Sequence, residues 1–484
     1  MNEKAQSPVP KFCLRMPSRR DLRAALQTTS HIMLPSFLFK SEAAPRVRSR
    51  GTNVDTAWLD GLRGLASITV FIYHFLFAFT MLPQIGYSPG YRQWLRLPGI
   101  RIIFDDFDGV AIFFIVSGYV CSLKALQHIV NEEPGKARET LEHSIFRRPF
   151  RLYMPVLVIS LMTAMSAYFG AFEILRPMMI ERQKYFPGRF IESGLTKYPT
   201  LLWQLHFWQQ ELFSLMNPGV LSPQWLQHDS HLWTIPYEFR GSMCVYLTLA
   251  AVAGRKHSAQ LLVLVTLGVF SFCWHFWEGP LFFGGAVIAL LKAMQEKKPT
   301  LLLGTSQSCT CQNRQRKMLR PVGYIICLYL ASYPSWNYDF PTPGFCWMNQ
   351  FIPSWMDDRP DRLPKSIAGL LFVYLLSTSE HMAESVTASL FHKVFTSKIA
   401  QYMGQIMFAF YLVHGPILHS FGYGIPHGVW YYIGQETTFT YVAGLIVGLL
   451  MCFVASIWTA DVFSREVEGR CVRLIKWLEK RSLA

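Results

Sequence analysis

Charge is scarce in this sequence. Asp, Glu, Lys and Arg make up 16% of its 484 residues, against about 25% in a typical soluble protein. A water-soluble chain of this length needs more charge to cover its surface, so the composition excludes an ordinary soluble enzyme. Its ten cysteines contain no CxxC pair. Several (Cys121, Cys244, Cys273, Cys327, Cys452) fall inside apolar runs, and the close pair Cys309 and Cys311, beside Arg314, Arg316 and Lys317, reads as a polar loop with free thiols rather than a metal or redox site. No Asn-x-Ser/Thr acceptor occurs. GxxxxGK[ST], GxSxG, HExxH and HxxxD are all missing, which removes support for ATP-driven transport, serine hydrolysis and zinc proteolysis. A cleavable signal peptide is not expected either, because the run from His31 to Phe39 is short and lacks a small-residue cleavage site.

Apolar residues are abundant at 51%, aromatics reach 15%, and mean hydropathy is +0.21. A helix that crosses a bilayer needs about 20 mainly apolar residues. Ten such stretches are found, near 60–82, 107–126, 151–171, 231–253, 259–277, 279–295, 320–335, 366–380, 399–421 and 438–460. The net charge of +15 is concentrated at the ends: residues 1–54 hold ten Lys/Arg and three Asp/Glu, and 463–484 hold six and three. Basic clusters also follow the second, fourth and sixth stretches. This positive-inside pattern predicts an all-α, polytopic membrane protein of about ten transmembrane helices with both termini cytoplasmic. The expected units are a basic, poorly ordered arm (1–54), a transmembrane domain (55–462) and a basic tail (463–484). Without a basic stripe carrying stacking aromatics, no nucleic-acid partner is expected. The long segment 172–230, with Trp203, Trp208 and Trp225, and the segment 336–365 are expected to share the opposite face. The stretch from Leu201 to Phe213 is too interrupted by Gln and His to span and reads as an interfacial or re-entrant segment.

Ionisable residues inside spanning helices are costly and so mark candidate sites. In the first, Arg63 and His74 are 11 residues apart, about 20° from eclipsed and roughly 16 Å apart along the axis. The competing reading for His74 is a core imidazole bonded to a neighbouring helix. The third stretch opens with Arg147-Arg148-Pro149-Phe150-Arg151, either simple anchoring or a site for an anionic group such as phosphate. Glu238 and Arg240 lie near the start of the fourth. Glu238 falls at a depth comparable to His74, where a carboxylate can orient an imidazole. Their spacing of two argues against mutual neutralisation. His414, in Tyr411-Leu412-Val413-His414-Gly415-Pro416, is either packed at a proline kink or faces a ligand. Ser117-Gly118 in the second stretch reads as close helix packing.

The blocks Leu59-Asp60-Gly61-Leu62-Arg63-Gly64-Leu65-Ala66 with His74, Phe113-Phe114-Ile115-Val116-Ser117-Gly118-Tyr119, Arg148-Pro149-Phe150-Arg151-Leu152-Tyr153-Met154-Pro155, Leu232-Trp233-Thr234-Ile235-Pro236-Tyr237-Glu238-Phe239-Arg240-Gly241 and Tyr411-Leu412-Val413-His414 occur in that order. In them the chain resembles the acyltransferase-3 family of integral-membrane acyltransferases, in its fungal-type branch. The resemblance implies transfer of an acyl group, commonly acetyl, from acyl-CoA to a hydroxyl, with Arg63, His74, Arg148 and Arg151 functional and a core of about ten helices. The expectation is an acyl-CoA-dependent O-acyltransferase of the endoplasmic reticulum or plasma membrane, acting on a small secondary metabolite such as a terpenoid or polyketide alcohol. His74 and Glu238 are the expected catalytic pair, Arg63, Arg148 and Arg151 the CoA ligands, and His414 and Arg240 the acceptor ligands. Acyl-CoA is a co-substrate, the bilayer a partner, and that chemistry requires no metal. A glycan acceptor, or a proton-coupled transporter using the same buried charges, are the alternatives.

Overall fold

The structure, a computed structural model, describes Ser36 and residues 56–482, apart from 106, 189–191, 193–194, 218, 220–225, 227, 298–308 and 379–385. The expected arm 1–54 (Ser36 excepted), Trp225 and the side chains of Cys309 and Cys311 lie outside the described residues. Residues 46–484 form one compact unit, to which everything below refers.

Its described residues are helical, with one isolated bridge between Ser88 and Tyr91 and no strand. The helices are α1 (Ala57–Phe79), α2 (Phe107–Val130), α3 (Pro134–Tyr168), α4 (Leu201–Met216), α5 (Thr234–Val252), α6 (His257–Cys273), α7 (Gly279–Lys297), α8 (Cys309–Ala331), α9 (Arg362–Ser377), α10 (Val386–Phe395), α11 (Lys398–Ser420), α12 (Ile425–Ile433), α13 (Thr438–Phe463) and α14 (Gly469–Ser482). A helix overlaps each of the ten apolar stretches, several of which run past its ends. Among the described residues, four segments are long and apolar enough to cross a membrane by length and composition: α1, α2 from Gly109, α3, and the continuous run from Thr438 to Ser482. The ends follow from local chemistry. Pro134 opens α3, where its missing N–H costs nothing. The Ser397 and Thr437 hydroxyls accept the Ala400 and Thr440 amides at the starts of α11 and α13, at 3.3 and 3.1 Å.

Two expectations are corrected. The third helix begins at Pro134 rather than 151, so Lys136, Arg138, Arg147 and Arg148 stand on a helical extension of α3 and not on a loop. Only Asn131–Glu133 separates α2 from α3, and Pro149 and Pro155 are carried inside the helix. Likewise Arg314, Arg316 and Lys317 belong to α8. The stretch around Leu201 is the 16-residue helix α4, with Leu202, Trp203 and Phe213 exposed and Gln204 buried against the Thr196 carbonyl and His228. The 336–365 segment folds into short 3-10 turns. It ends in a buried ion cluster in which Lys365 Nζ bonds Asp105 at 2.5 Å and Asp361 at 2.8 Å.

Glycines set two close helix contacts near the site. A Cβ on Gly118 of α2 would stand 2.1 Å from the Phe282 carbonyl oxygen of α7, and one on Gly285 of α7 would stand 2.2 Å from the Ile115 carbonyl oxygen. The close packing expected at Ser117-Gly118 is therefore an α2–α7 contact. Gly64 of α1 faces Gly404 of α11 in the same way, with a Cβ on Gly64 only 2.4 Å from the Gly404 nitrogen. That contact locks the helix bearing His74 to the helix bearing His414.

Candidate active site

Four parts of the chain converge on one cluster of imidazoles and carboxylates: α1, the loop between α3 and α4, the turn leading into α5, and α11. His74 sits next to Tyr73 on α1 and is partly exposed, with its side chain at 15%. Its Nδ1 stands 3.3 Å from Glu192 Oε1, and its backbone carbonyl accepts the Tyr423 hydroxyl at 3.0 Å. The other carboxylate oxygen of Glu192 meets His419 Nε2 at 2.7 Å, and His231 Nε2 lies 3.5 Å from Oε1. Glu192 lies on the loop between α3 and α4, outside the spanning helices. Burial alone would raise its pKa, but the surrounding His231, His419 and His74 outweigh that and hold the carboxyl well below the usual range.

His231 belongs to a 3-10 turn, Ser230–Trp233, that leads into α5. Asp229 caps this turn. Its Oδ1 accepts both the His231 backbone amide and, at 3.0 Å, the His231 ring Nδ1. The Tyr411 hydroxyl of α11 bonds the His231 carbonyl and the Thr234 hydroxyl, bolting the turn to α11. One turn further along α11, His414 directs Nδ1 to the Tyr411 carbonyl at 2.7 Å. The His231 ring centroid is 4.3 Å from that of His74 and 4.7 Å from that of His414, and His74 to His414 is 5.6 Å. The turn fits because residue 415 is glycine: a Cβ there would stand 2.4 Å from His231 Nδ1.

A second polar group lies further along α5. Seven residues separate His231 from Glu238, roughly 10 Å in a helix. Glu238 is held by Arg148 of α3 and by the Ser117 hydroxyl of α2, the latter at 2.5 Å. Arg148 also donates to the Ser242 hydroxyl at 2.9 Å. The expected His74–Glu238 pairing is thus replaced by His74–Glu192, and Glu238 ties three helices together. Arg240 faces neither group: it pairs with Glu278, 2.8 Å from its Nε, and its guanidinium lies over the Tyr237 and Phe276 rings. Arg63 is buried at 8% exposure and bonds Asp60, one turn earlier on α1. Arg151 is exposed with Glu468 as an opposing charge.

Sequence reasoning therefore found His74 and His414 but missed Glu192, Asp229, His231 and His419 as their neighbours. The Asp229-Ser230-His231 triplet carried a local signal, since a carboxylate two residues before a histidine can cap its turn and hold its ring. Glu192 carried none, being 118 residues from the imidazole it meets.

The acyltransferase domain model Acyl_transf_3 matches residues 56–458, a span containing every side chain named above except Glu468. The O-acetyltransferase PaAT-1 of Phomopsis amygdali is 27% identical over 481 residues, covering 93% of this chain and 89% of that protein. Acyltransferase R4 of a Phoma species and acyltransferase clz18 of Cochliobolus lunatus are each 26% identical, covering 86% of this chain and 95% of theirs. No solved structure matches. With most of its length inside that family model, the chain belongs to the acyltransferase-3 family.

Proposed function

We propose that the protein is a membrane-embedded O-acyltransferase that moves an acetyl group from acetyl-CoA to the hydroxyl of a small secondary metabolite, a terpenoid or polyketide alcohol. The reading includes ten spanning helices with both termini cytoplasmic, in the endoplasmic reticulum or plasma membrane. The observation that carries it is the pairing of His74 with Glu192 inside the bundle, beside His231 and His414. Family membership supports acyl transfer, and the printed name of the Phomopsis relative supports acetyl.

A carboxylate can only accept, so His74 donates Nδ1–H to Glu192 and its neutral ring keeps the Nε2 lone pair. Nε2 takes the proton of the acceptor hydroxyl as that oxygen attacks the thioester carbonyl. The tetrahedral intermediate collapses with formation of the ester C–O bond and loss of the C–S bond. CoA leaves as a thiolate and recovers the proton from the imidazolium. Glu192, itself held by His419, stabilises that imidazolium and fixes its ring, as a buried carboxylate does in a catalytic triad. The acceptor oxygen lies among the three imidazoles, with His414 at its side. CoA approaches from the cytoplasmic end, its phosphates on Arg63, Arg148 and Arg151. Arg151, being exposed, makes the first contact, while Arg148, bonded to Glu238 and Ser242, holds α3 against α5. Glu238 keeps that arginine in position, and Arg240 anchors the far side of α5.

The test uses full-length protein in nanodiscs, acetyl-labelled acetyl-CoA and a panel of terpenoid and polyketide alcohols, read by mass spectrometry. Label should pass to an alcohol and be lost in His74→Ala and Glu192→Gln. Undiminished transfer in His74→Ala removes the base, and movement of an alcohol across proteoliposomes without acetylation favours transport instead.

A further inference from the structure

His231 and His414 are each only 2% exposed; the Nε2 atom of His414 is buried without a hydrogen-bond partner, and that of His231 has only Glu192 Oε1, 3.5 Å away. Buried polar nitrogens are rarely left in that state. In each ring Nδ1 is already committed, to Asp229 in His231 and to the Tyr411 carbonyl in His414. Both acceptors lack hydrogens, so each ring carries a proton on Nδ1 and, in its neutral form, presents a lone pair on Nε2. His74, its Nδ1 on Glu192, is in the same tautomer. One ligand nitrogen from each of the three rings lies within 4.8 Å of the other two.

We infer that His74, His231 and His414 form a binding site for a divalent transition-metal ion, zinc above others, and that occupancy of this site competes with acyl transfer. Three neutral imidazoles, each held through its far nitrogen by a carboxylate or carbonyl, match the way proteins orient zinc-binding histidines. Zinc takes nitrogen at about 2.0–2.1 Å in a tetrahedron, which brings the three nitrogens to roughly 3.4 Å from one another. The three ligand nitrogens need to close by about 1.4 Å at most from the 4.8 Å bound on their spacing. The carboxylates of Glu192, beside His74 and His231, and of Asp229, behind His231, offset the charge of the ion. The alternative set Glu192, His231 and His419 is equally compact. Glu192, however, is already engaged at both oxygens, whereas the imidazole trio contains the unpartnered Nε2 of His414. Binding itself does not depend on the proposed function. The competition does, because the metal takes the lone pair that His74 uses as a base.

The experiment begins with full-length protein in detergent, stripped with a chelator and titrated with Co(II). A single site per chain with the visible absorption of tetrahedral cobalt, displaced by zinc, is expected. His231→Gln and His414→Gln should each lose it while eluting as folded protein, and His419→Gln should keep it. Zinc at a saturating level should stop acetyl transfer, and chelator should restore it. Absence of the cobalt spectrum in the wild type overturns the site, as does binding that survives both His231→Gln and His414→Gln. Binding lost in His419→Gln but kept in His414→Gln overturns this ligand set in favour of the glutamate-containing one. Zinc that binds without slowing transfer overturns the competition and the use of His74 as base, a failure distinct from that of the site.

Discussion

Gly415→Ala adds a single methyl group and gives opposite expectations depending on whether the His231 turn matters. An ideal Cβ at residue 415 stands 2.4 Å from His231 Nδ1, 2.8 Å from Asp229 Oδ1 and 3.0 Å from His231 Cε1. Ordinary contact begins near 3.4 Å, so the imidazole must retreat by about 1 Å. It cannot retreat alone, because Asp229 holds both its ring and its backbone amide, and the Tyr411 hydroxyl holds its carbonyl. The turn therefore moves as a unit, away from His74 and His414. A misplacement of about 1 Å at a reacting centre costs roughly 100-fold in rate, equivalent to ~2.7 kcal/mol of transition-state stabilisation. Helix propensity alone points the other way: alanine replacing glycine inside α11 stabilises the helix by about 1 kcal/mol. The assay is acetyl transfer from labelled acetyl-CoA in nanodiscs, with thermal unfolding followed on the same preparation. The expected result is a kcat lowered about 100-fold in protein that remains folded. A variant with wild-type kcat and a raised unfolding temperature would refute the argument that the Asp229–His231 turn is part of the reacting centre.

Other perturbations separate the remaining roles. Glu192→Gln should lower kcat by about 100-fold or more, the lower range for a displaced general base, with the KM for acetyl-CoA unchanged; a selective rise in that KM would assign Glu192 elsewhere. Arg151→Ala should raise the KM for acetyl-CoA about tenfold, the loss of ~1.4 kcal/mol of binding, with kcat preserved, as measured by initial rates at saturating alcohol. Lys365→Met removes the cation that Asp105 and Asp361 share, leaving them Arg101 and Arg359 respectively, and should destabilise the protein by about 3 kcal/mol, the low end for a broken buried pair, measured by denaturant unfolding in detergent. The same cluster sets an acid limit. Burial alone would raise the Asp361 pKa, but the charges of Arg359 and Lys365 hold it well below the usual range. A depressed carboxyl contributes stability that is complete above its unfolded pKa of about 3.9 and is lost as pH falls below that value. Unfolding temperature should therefore drop from about pH 4 downward, and Asp361→Asn should flatten that slope.

The helices were legible because an apolar run of membrane length announces itself without reference to any partner. Their polar extensions were not. The N-terminal turns of α3 look like loop by hydropathy, yet Pro134 starts a helix there that runs on to Tyr168. Matching depth suggested that Glu238 meets His74, but depth says nothing about direction around the helix axis, and Arg148 with Ser117 occupies that carboxylate. The spacing argument against a Glu238–Arg240 pair agrees with the structure, in which each has a distant partner. Arg63 and His74 were visible as isolated charges in an apolar helix. Glu192 was not, because it lies on a stretch without periodicity and acquires meaning only when the chain folds back over α1 and α11.

That last contact bears on protein engineering. The segment between α3 and α4 is an attractive place to graft a relative's sequence in order to change which alcohol is accepted. Such a chimaera would also exchange the carboxylate that meets His74. Grafts that retain a glutamate in register with position 192 should stay active with altered selectivity, and those that lack one should fold and bind CoA without turning over.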